Sequence, residues 1–352
     1  MRHFGRLLLV AGLVLGVAAC KRTRRAPPAV AKDVAEAPVY TPPKLESTPA
    51  TTKLLDAGKS PRQLLRFALT PGQKEVGTLV MDITIQMKDG EENHPAMQFP
   101  LIKLGMEMEV QAVTPEGDAT YQFKFVSSEV VDRGDAAMGA LMDFQTKRIV
   151  GLTGGAVITS RGVAKSTELH TPEQVDDQTR QLIESLKQSA ANFAPPLPEE
   201  PVGLGATWVE TAVVIADGMK VTKTTNYKVV ALEKGKVRLE VVSQHVGDPK
   251  DYAPSAPPGT RIELKEYQGT VSGEVTVELA HVLAPSTQKA ETVVDVFVST
   301  PQEDKAVRTT TTQIMTVADT KADVPPPPAK GKGKTPPAKK AAAAAPGAPA
   351  PQ

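Results

Sequence analysis

Apolar and polar residues alternate with a period of two along most of the span 61–323, and this limits the fold more than any other feature of the chain. Leu79, Met81, Ile83, Ile85 and Met87 are apolar, while Thr78, Asp82, Thr84 and Gln86 between them are polar. Successive side chains of a strand point to opposite faces, so the pattern marks a strand with one buried face and one wet face. Met106, Met108, Val110 and Ala112 repeat it against Glu107, Glu109 and Gln111. A turn at Pro115-Glu116-Gly117-Asp118 then leads to Tyr121, Phe123 and Phe125. Residues 62–69 and 75–87 read as the two arms of a hairpin closed by Thr70-Pro71-Gly72-Gln73. Residues 135–144 read as a short helix, and 147–170 as two or three strands around Gly154-Gly155.

One segment breaks the pattern. Thr171 can cap a helix, Pro172 suits its first turn and Gln174 completes a capping box. Val175, Leu182, Leu186, Ala190 and Phe193 share one face at helical spacing, and Pro195-Pro196 stops the run. A long amphipathic helix is therefore expected over 172–194. Pro201-Val202-Gly203-Leu204-Gly205-Ala206-Thr207-Trp208 then opens a second strand series. In it Val237, Leu239 and Val241 alternate with Arg238 and Glu240, and further strands follow around Ile262, Val275 and Val294. The last is expected over 309–317.

The two series read as diverged copies, about 61–170 and 202–318, with the helix between them. Asp89-Gly90 answers Asp217-Gly218. The stretch 106–125, turning at Gly117, answers 224–242, turning at Gly235. The glycine-bearing strands of 148–169 answer those of 262–279. The expected fold class is mainly β, with a curved antiparallel sheet or sheets, duplicated, and one long helix. About ten strands at ~4.8 Å make a flat sheet near ~48 Å wide, while a helix is only ~10 Å across. One helix cannot cover that width, so the sheet either wraps it as a half-barrel or folds on itself as a sandwich. In a half-barrel, Leu182, Leu186 and Phe193 would share a space with Leu79, Met81 and Ile83 as a cavity lining.

The N-terminus carries a different kind of signal. A basic head, Met1 to Arg6, precedes an apolar run from Leu7 to Val17, which describes a secretory signal too short to span as a mature helix. It ends in Val17-Ala18-Ala19-Cys20, which resembles the bacterial lipobox. That resemblance implies cleavage of residues 1–19 between Ala19 and Cys20, and a lipid-modified Cys20 that anchors the chain to a membrane. Cys20 is the only cysteine of the chain, so no intramolecular disulfide is available and the fold must stand on packing. Lys21 follows it, where an aspartate would imply retention at the inner membrane, so the resemblance implies the outer membrane facing the periplasm. Residues 20–60, rich in proline and opening on a basic cluster, read as a disordered linker. Residues 324–352, built from proline, alanine, glycine and five lysines, read as a disordered tail.

Charge and motif content exclude several functions. The net charge of +1 hides an uneven distribution: residues 61–323 hold 26 basic and 36 acidic residues, a net of −10. An acidic body with basic tails argues against nucleic-acid binding. The tails suit contact with an anionic envelope polymer or lipid headgroups. Gly333-Lys334-Thr335 ends like a phosphate-binding loop, but Pro328 stands where its first glycine belongs. Gly203-Leu204-Gly205 starts like a dinucleotide loop, but Trp208 replaces the third glycine. Ser286-Thr287-Gln288-Lys289 matches a Ser-x-x-Lys spacing without its companion motifs. His94, His170, His245 and His281 share no ligand spacing. No catalytic residue, metal site or cofactor is expected, and the chain is read as a non-enzyme.

The half-barrel arrangement is similar to lipoprotein carriers of the LolA/LolB and LppX/LprG kind. The Pro-Val-Gly-x-Gly-x-x-Trp stretch, helix before and strands after, resembles an uncharacterised family of bacterial lipoproteins. These resemblances imply a lipid-anchored envelope protein acting as a binding protein or scaffold, with a carrier or sensor of acyl chains as the alternative. Replacing Cys20 by Ser should abolish incorporation of a fatty-acid analogue in growing cells and release the protein from the membrane fraction. Retained labelling of that variant would contradict the lipobox reading.

Overall fold

The computed structural model describes residues 48–170, 194–216, 219–252 and 259–319. Its strands are β1 (Thr48–Asp56), β2 (Lys74–Asp89), β3 (Glu92–Asn93), β4 (Met97–Gln98), β5 (Leu101–Val113) and β6 (Ala119–Val131). After helix α1 (Ala136–Lys147) come β7 (Thr153–Ile158), β8 (Ala164–His170), β9 (Thr207–Ala216) and β10 (Met219–Glu233). The series ends with β11 (Lys236–Gly247), β12 (Arg261–Glu278), β13 (Ser286–Ser299) and β14 (Asp304–Asp319). All of them join one antiparallel sheet, ordered β1-β9-β10-β11-β12-β13-β14-β2-β5-β6-β7-β8, with β3 and β4 beside β2. The sheet is curved and open, and a single continuous sheet replaces the two packed sheets of a sandwich.

The period of two reports the inner face correctly. On β2 the inward residues Leu79, Ile83 and Ile85 are buried, and on β6 Tyr121, Phe123 and Phe125 are buried while Gln122 and Lys124 face water. β11 behaves alike, with Val237, Leu239 and Val241 inside. Gly273 on β12 has a steric reason: a Cβ there would lie 2.2 Å from the Thr287 carbonyl oxygen on β13. The two strands approach too closely for any side chain, as expected where a sheet bends hard.

Two expectations about the N-terminal region are corrected. β1 lies inside the stretch read as linker, 20–60, so the ordered body reaches back to Thr48. Residues 62–69 are not a hairpin arm, because β2 pairs with β14 and β5 instead. The 62–69 segment makes one isolated bridge, Gln63 to Val202, and then crosses one end of the curved sheet. The Phe67 amide donates to the Ser160 carbonyl at 2.7 Å, and the Ala68 amide to the Leu279 carbonyl at 2.7 Å. Leu65, Phe67 and Leu69 are buried, so the segment forms a floor that packs against the sheet without extending it.

Residues 194–206 complete that floor. Leu197, Val202, Ala206 and Trp208 have no exposed surface. The indole Nε1–H of Trp208 donates to the Pro196 carbonyl at 2.9 Å, and its ring stacks on Tyr227 with centroids 5.4 Å apart. Gly203 sits where a Cβ would be 1.7 Å from the Lys59 carbonyl oxygen, so the backbones of 57–59 and 203–204 can pair only through glycine. This accounts for the Pro-Val-Gly-x-Gly-x-x-Trp stretch: it is a packing joint.

The 135–144 helix expectation corresponds to α1, which Asp135 caps by accepting from the amides of Ala137 and Met138. Met138 and Met142 pack on Ile83, Ile85 and Phe99, so α1 covers the β2 side of the inner face. The helix expected over 172–194 lies outside the described residues except for Ala194, which is buried but not helical.

Glu75, at the start of β2, holds the β12–β13 connection inward. Its carboxylate accepts from the amides of Val282 at 2.9 Å and Leu283 at 2.8 Å, and from the Gln73 side chain at 2.8 Å. Val282 and Leu283 are buried, so no solvent replaces the acceptor. Glu75→Ala should destabilise the protein by about 2–4 kcal/mol through two stranded donors, and Glu75→Gln by less. Denaturant unfolding of the three proteins measures the difference.

Candidate functional site: a two-sided cavity on the inner face

A cavity of about 430 Å³ opens on the inner face between α1, the Ala194–Pro196 stretch and seven neighbouring strands, β10 to β14, β2 and β5. Laid flat, seven strands at ~4.8 Å would spread over ~29 Å. Residues from all of them border one space because the sheet curves.

Strand register fixes what faces it. One row across the sheet runs Tyr227, Val241, Gly273, Gln288, Met315, Met81, Ile102. The next runs Thr225, Ser243, Val271, Ala290, Gln313, Ile83. A third begins Lys223, His245, Gly269. The wall built by β2 and β5 is apolar, with Leu79, Met81, Ile83, Ile102 and Leu104, and β14 adds Met315 and Val317 beside the amide of Gln313. The opposite wall, on β10 and β11, is polar.

The polar wall is internally bonded. The Thr225 and Ser243 hydroxyl oxygens are 2.9 Å apart, and His245 Nε2 lies 3.1 Å from Ser243 Oγ. Tyr227 donates its hydroxyl to Glu210 Oε2 at 2.8 Å, and Lys223 Nζ lies 3.9 Å from the same oxygen. That second distance is an ion pair beyond hydrogen-bond length. Glu210 on β9 is 6% exposed at its side chain and stands behind Tyr227 and Lys223, while Lys223 itself reaches the cavity. Burial pushes the Tyr227 hydroxyl well above its ordinary pKa, reinforced by the Glu210 charge. Burial, and then the Lys223 charge, pull the His245 imidazole down to about 4.

The sequence-derived lining residues divide cleanly. Leu79, Met81 and Ile83 all border the cavity, on the apolar wall. Leu182, Leu186 and Phe193 lie outside the described residues, as do Ala19 and Cys20. The polar wall was not anticipated from the sequence. Its signal was available: the alternation Val237, Leu239, Val241 continues onto Ser243 and His245, placing polar groups at inward positions.

The lining supplies hydrogen-bonding groups and one ammonium on one side and an apolar surface on the other. Ser286 borders the cavity, but Lys289 on the same strand points to the other face, because an odd spacing on a strand reverses direction. The Ser-x-x-Lys spacing therefore brings no base to the serine. Among the described residues no group of three His, Cys, Asp or Glu side chains could hold a metal ion, and no helix is long and apolar enough to cross a membrane. No family model matches this chain, and no curated protein is similar to it.

The imidazole of His245 gives the fold a pH dependence of known sign. The unfolded chain takes up its proton near pH 6.5, whereas the folded protein resists it until about 4. Stability from this group is thus fully present above about pH 6.5 and is lost as the pH falls towards 4. The loss should be about 1–3 kcal/mol, limited by the partial exposure of the ring. His245→Gln should flatten the difference between unfolding free energies at pH 7 and pH 4.5 by that amount. An unchanged difference would mean the ring is solvated.

Proposed function

We propose that the chain is a lipid-anchored protein of the cell envelope that acts without catalysis, by holding an amphipathic molecule on the inner face of its sheet. The observation that carries this reading is the two-sided cavity. Its volume falls within the ~300–1,000 Å³ of small-molecule sites, and an apolar majority with a few convergent polar groups is the usual make-up of such a site. Met81, Met142 and Met315 border it, and unbranched, polarizable thioethers adapt to chains of varied shape. Each methylene buried against this wall would contribute about 0.8 kcal/mol.

The lipobox resemblance at Cys20 supports the anchor, and the absence of an aspartate at position 21 supports the outer membrane, facing the periplasm. The basic segments at 21–25 and 330–340 suit anionic headgroups or envelope polymer, each positive charge near such a surface adding about 1 kcal/mol. The architecture we propose is a duplicated half-barrel of the lipoprotein-carrier kind, with the amphipathic stretch 172–194 between the copies. In its favour, β2-β5-β6-β7 and β9-β10-β11-β12 are both simple meanders that advance in the same direction along the sheet. The turns at Gly117 and Gly235, matched in the sequence comparison of the halves, both have positive φ, 87° and 76°.

Mass spectrometry of lipid extracted from the purified full chain should reveal a co-purifying amphiphile. Met81→Trp should fill the cavity and weaken binding of an environment-sensitive apolar dye by about tenfold or more, while lowering stability by less than about 1 kcal/mol, because the indole enters open space. A wild-type protein without lipid or dye affinity, together with a Met81→Trp variant that suffers the full penalty of an overpacked core, would show a dry interior and end this reading.

A further inference from the structure

We propose that the occupant is a single-chain amphiphile with a carboxylate head, the head against Lys223, Ser243 and His245 and the chain against Leu79, Met81 and Ile83. The inference rests on the cavity reading above and names its ligand class.

Volume limits the chain. A cavity of about 430 Å³ holds on the order of 14 groups the size of a water molecule, which suits one hydrocarbon chain. Register sets the direction. The polar residues Thr225, Lys223, Ser243 and His245 occur on β10 and β11, at one side of the space. Val271 and Ala290 follow towards the middle, the neutral amides of Gln288 and Gln313 come next, and Ile83 and Ile102 close the far side. Because the one ammonium stands at the β10–β11 side, a molecule with an anionic end and an apolar body has one favoured orientation here.

The choice of head follows from the donors. The cavity-facing polar groups are the Lys223 ammonium, the Thr225 and Ser243 hydroxyls and the His245 imidazole, with the hydroxyls of Thr146, Tyr227 and Ser286 and three side-chain amides elsewhere in the lining, and Lys223 is the only cation among the lining residues described. The nearby carboxylate, Glu210, does not border the cavity and already accepts the Tyr227 hydroxyl. A cationic head would meet Lys223 and be repelled. A neutral hydroxyl would gain a hydrogen bond but no charge attraction. A carboxylate can accept from the ammonium and from the Thr225 or Ser243 hydroxyl, and charge-assisted hydrogen bonds of this kind are about twice as strong as neutral ones. The side chain of Lys223 is only 19% exposed, so water screens the attraction weakly.

The test titrates the full chain by calorimetry at neutral pH with tetradecanoate, tetradecanol and acetate. Wild type should bind the acid at least about tenfold more tightly than the alcohol, and millimolar acetate should not compete. Lys223→Met should reduce the preference to within about threefold with alcohol affinity retained, and Lys223→Arg should keep it. Because Lys223→Met leaves Glu210 without its nearby cation, Lys223→Met/Glu210→Gln is measured beside it and should show the same loss of preference. Equal binding of acid and alcohol by wild type overturns the carboxylate assignment while leaving the cavity reading intact. Competition by acetate alone would make the site one for small anions, and also overturns it. An acid preference that survives in both methionine variants removes Lys223 from the site. Failure of wild type to bind either long-chain probe sinks the cavity reading itself.

Discussion

The ladder between β14 and β2 is the joint on which the rest of the structure depends. It runs through 13 unbroken pairs, from Val307 with Asp89 to Asp319 with Gly77. These residues are 218 to 242 positions apart in the chain, so the ladder forms only when both meanders are present. Everything that faces the cavity from β2 and β5 lies on one side of it, and everything from β10 to β13 on the other. Without it the apolar and polar walls would belong to separate sheets. Closing so long a loop adds little entropy beyond that of a shorter one, since the penalty grows only with the logarithm of length. It does delay folding, because distant pairing must precede its own reward.

Curvature creates a second requirement, a floor. A bent sheet with one apolar face leaves its ends open to water, and here two irregular stretches close one of them. Residues 62–69 and 194–206 lie against the turns of β7–β8, β10–β11 and β12–β13, satisfying backbone groups that the ladders do not reach. Trp208 is the rivet between this floor and the sheet. Its ring stacks on Tyr227 of β10 while its N–H holds Pro196 of the floor, and the same Tyr227 carries Glu210 by its hydroxyl. The floor and the polar wall therefore share one aromatic pair, which couples the integrity of the site to the packing beneath it.

How much of this was legible depends on what periodicity reports. The alternation on β2, β6 and β11 identified inward residues correctly because each strand has one buried face. Residues 62–69 read as a hairpin arm, yet Leu65, Phe67 and Leu69 are buried in a segment with a single bridge. Period two records which side chains are inside; it does not record what the backbone pairs with. β1 escaped notice for the opposite reason. Among the described residues it is an edge strand paired only with β9, and its sequence, with Pro49 and two adjacent threonines, carries no clean alternation. At the site, the apolar wall was readable as a strand face, whereas the polar wall was not, because Lys223, Thr225, Ser243 and His245 look like surface residues until the register turns them inward.

That inward polar wall is also where the sequence departs from what stability alone would select. An aliphatic set at these positions would pack without stranded donors, and replacing buried charges by well-fitted apolar residues is often neutral or stabilising. The chain instead keeps a lysine and a glutamate at 3.9 Å, a histidine held neutral by its surroundings and two bonded hydroxyls. Such groups cannot collapse onto Met81, Met315 and Ile83 across the cavity without losing their partners. They act as spacers for the opposite wall. The polar network thus keeps the interior from closing into an ordinary core, and the residues that weaken the fold are those that hold a space open on the inner face.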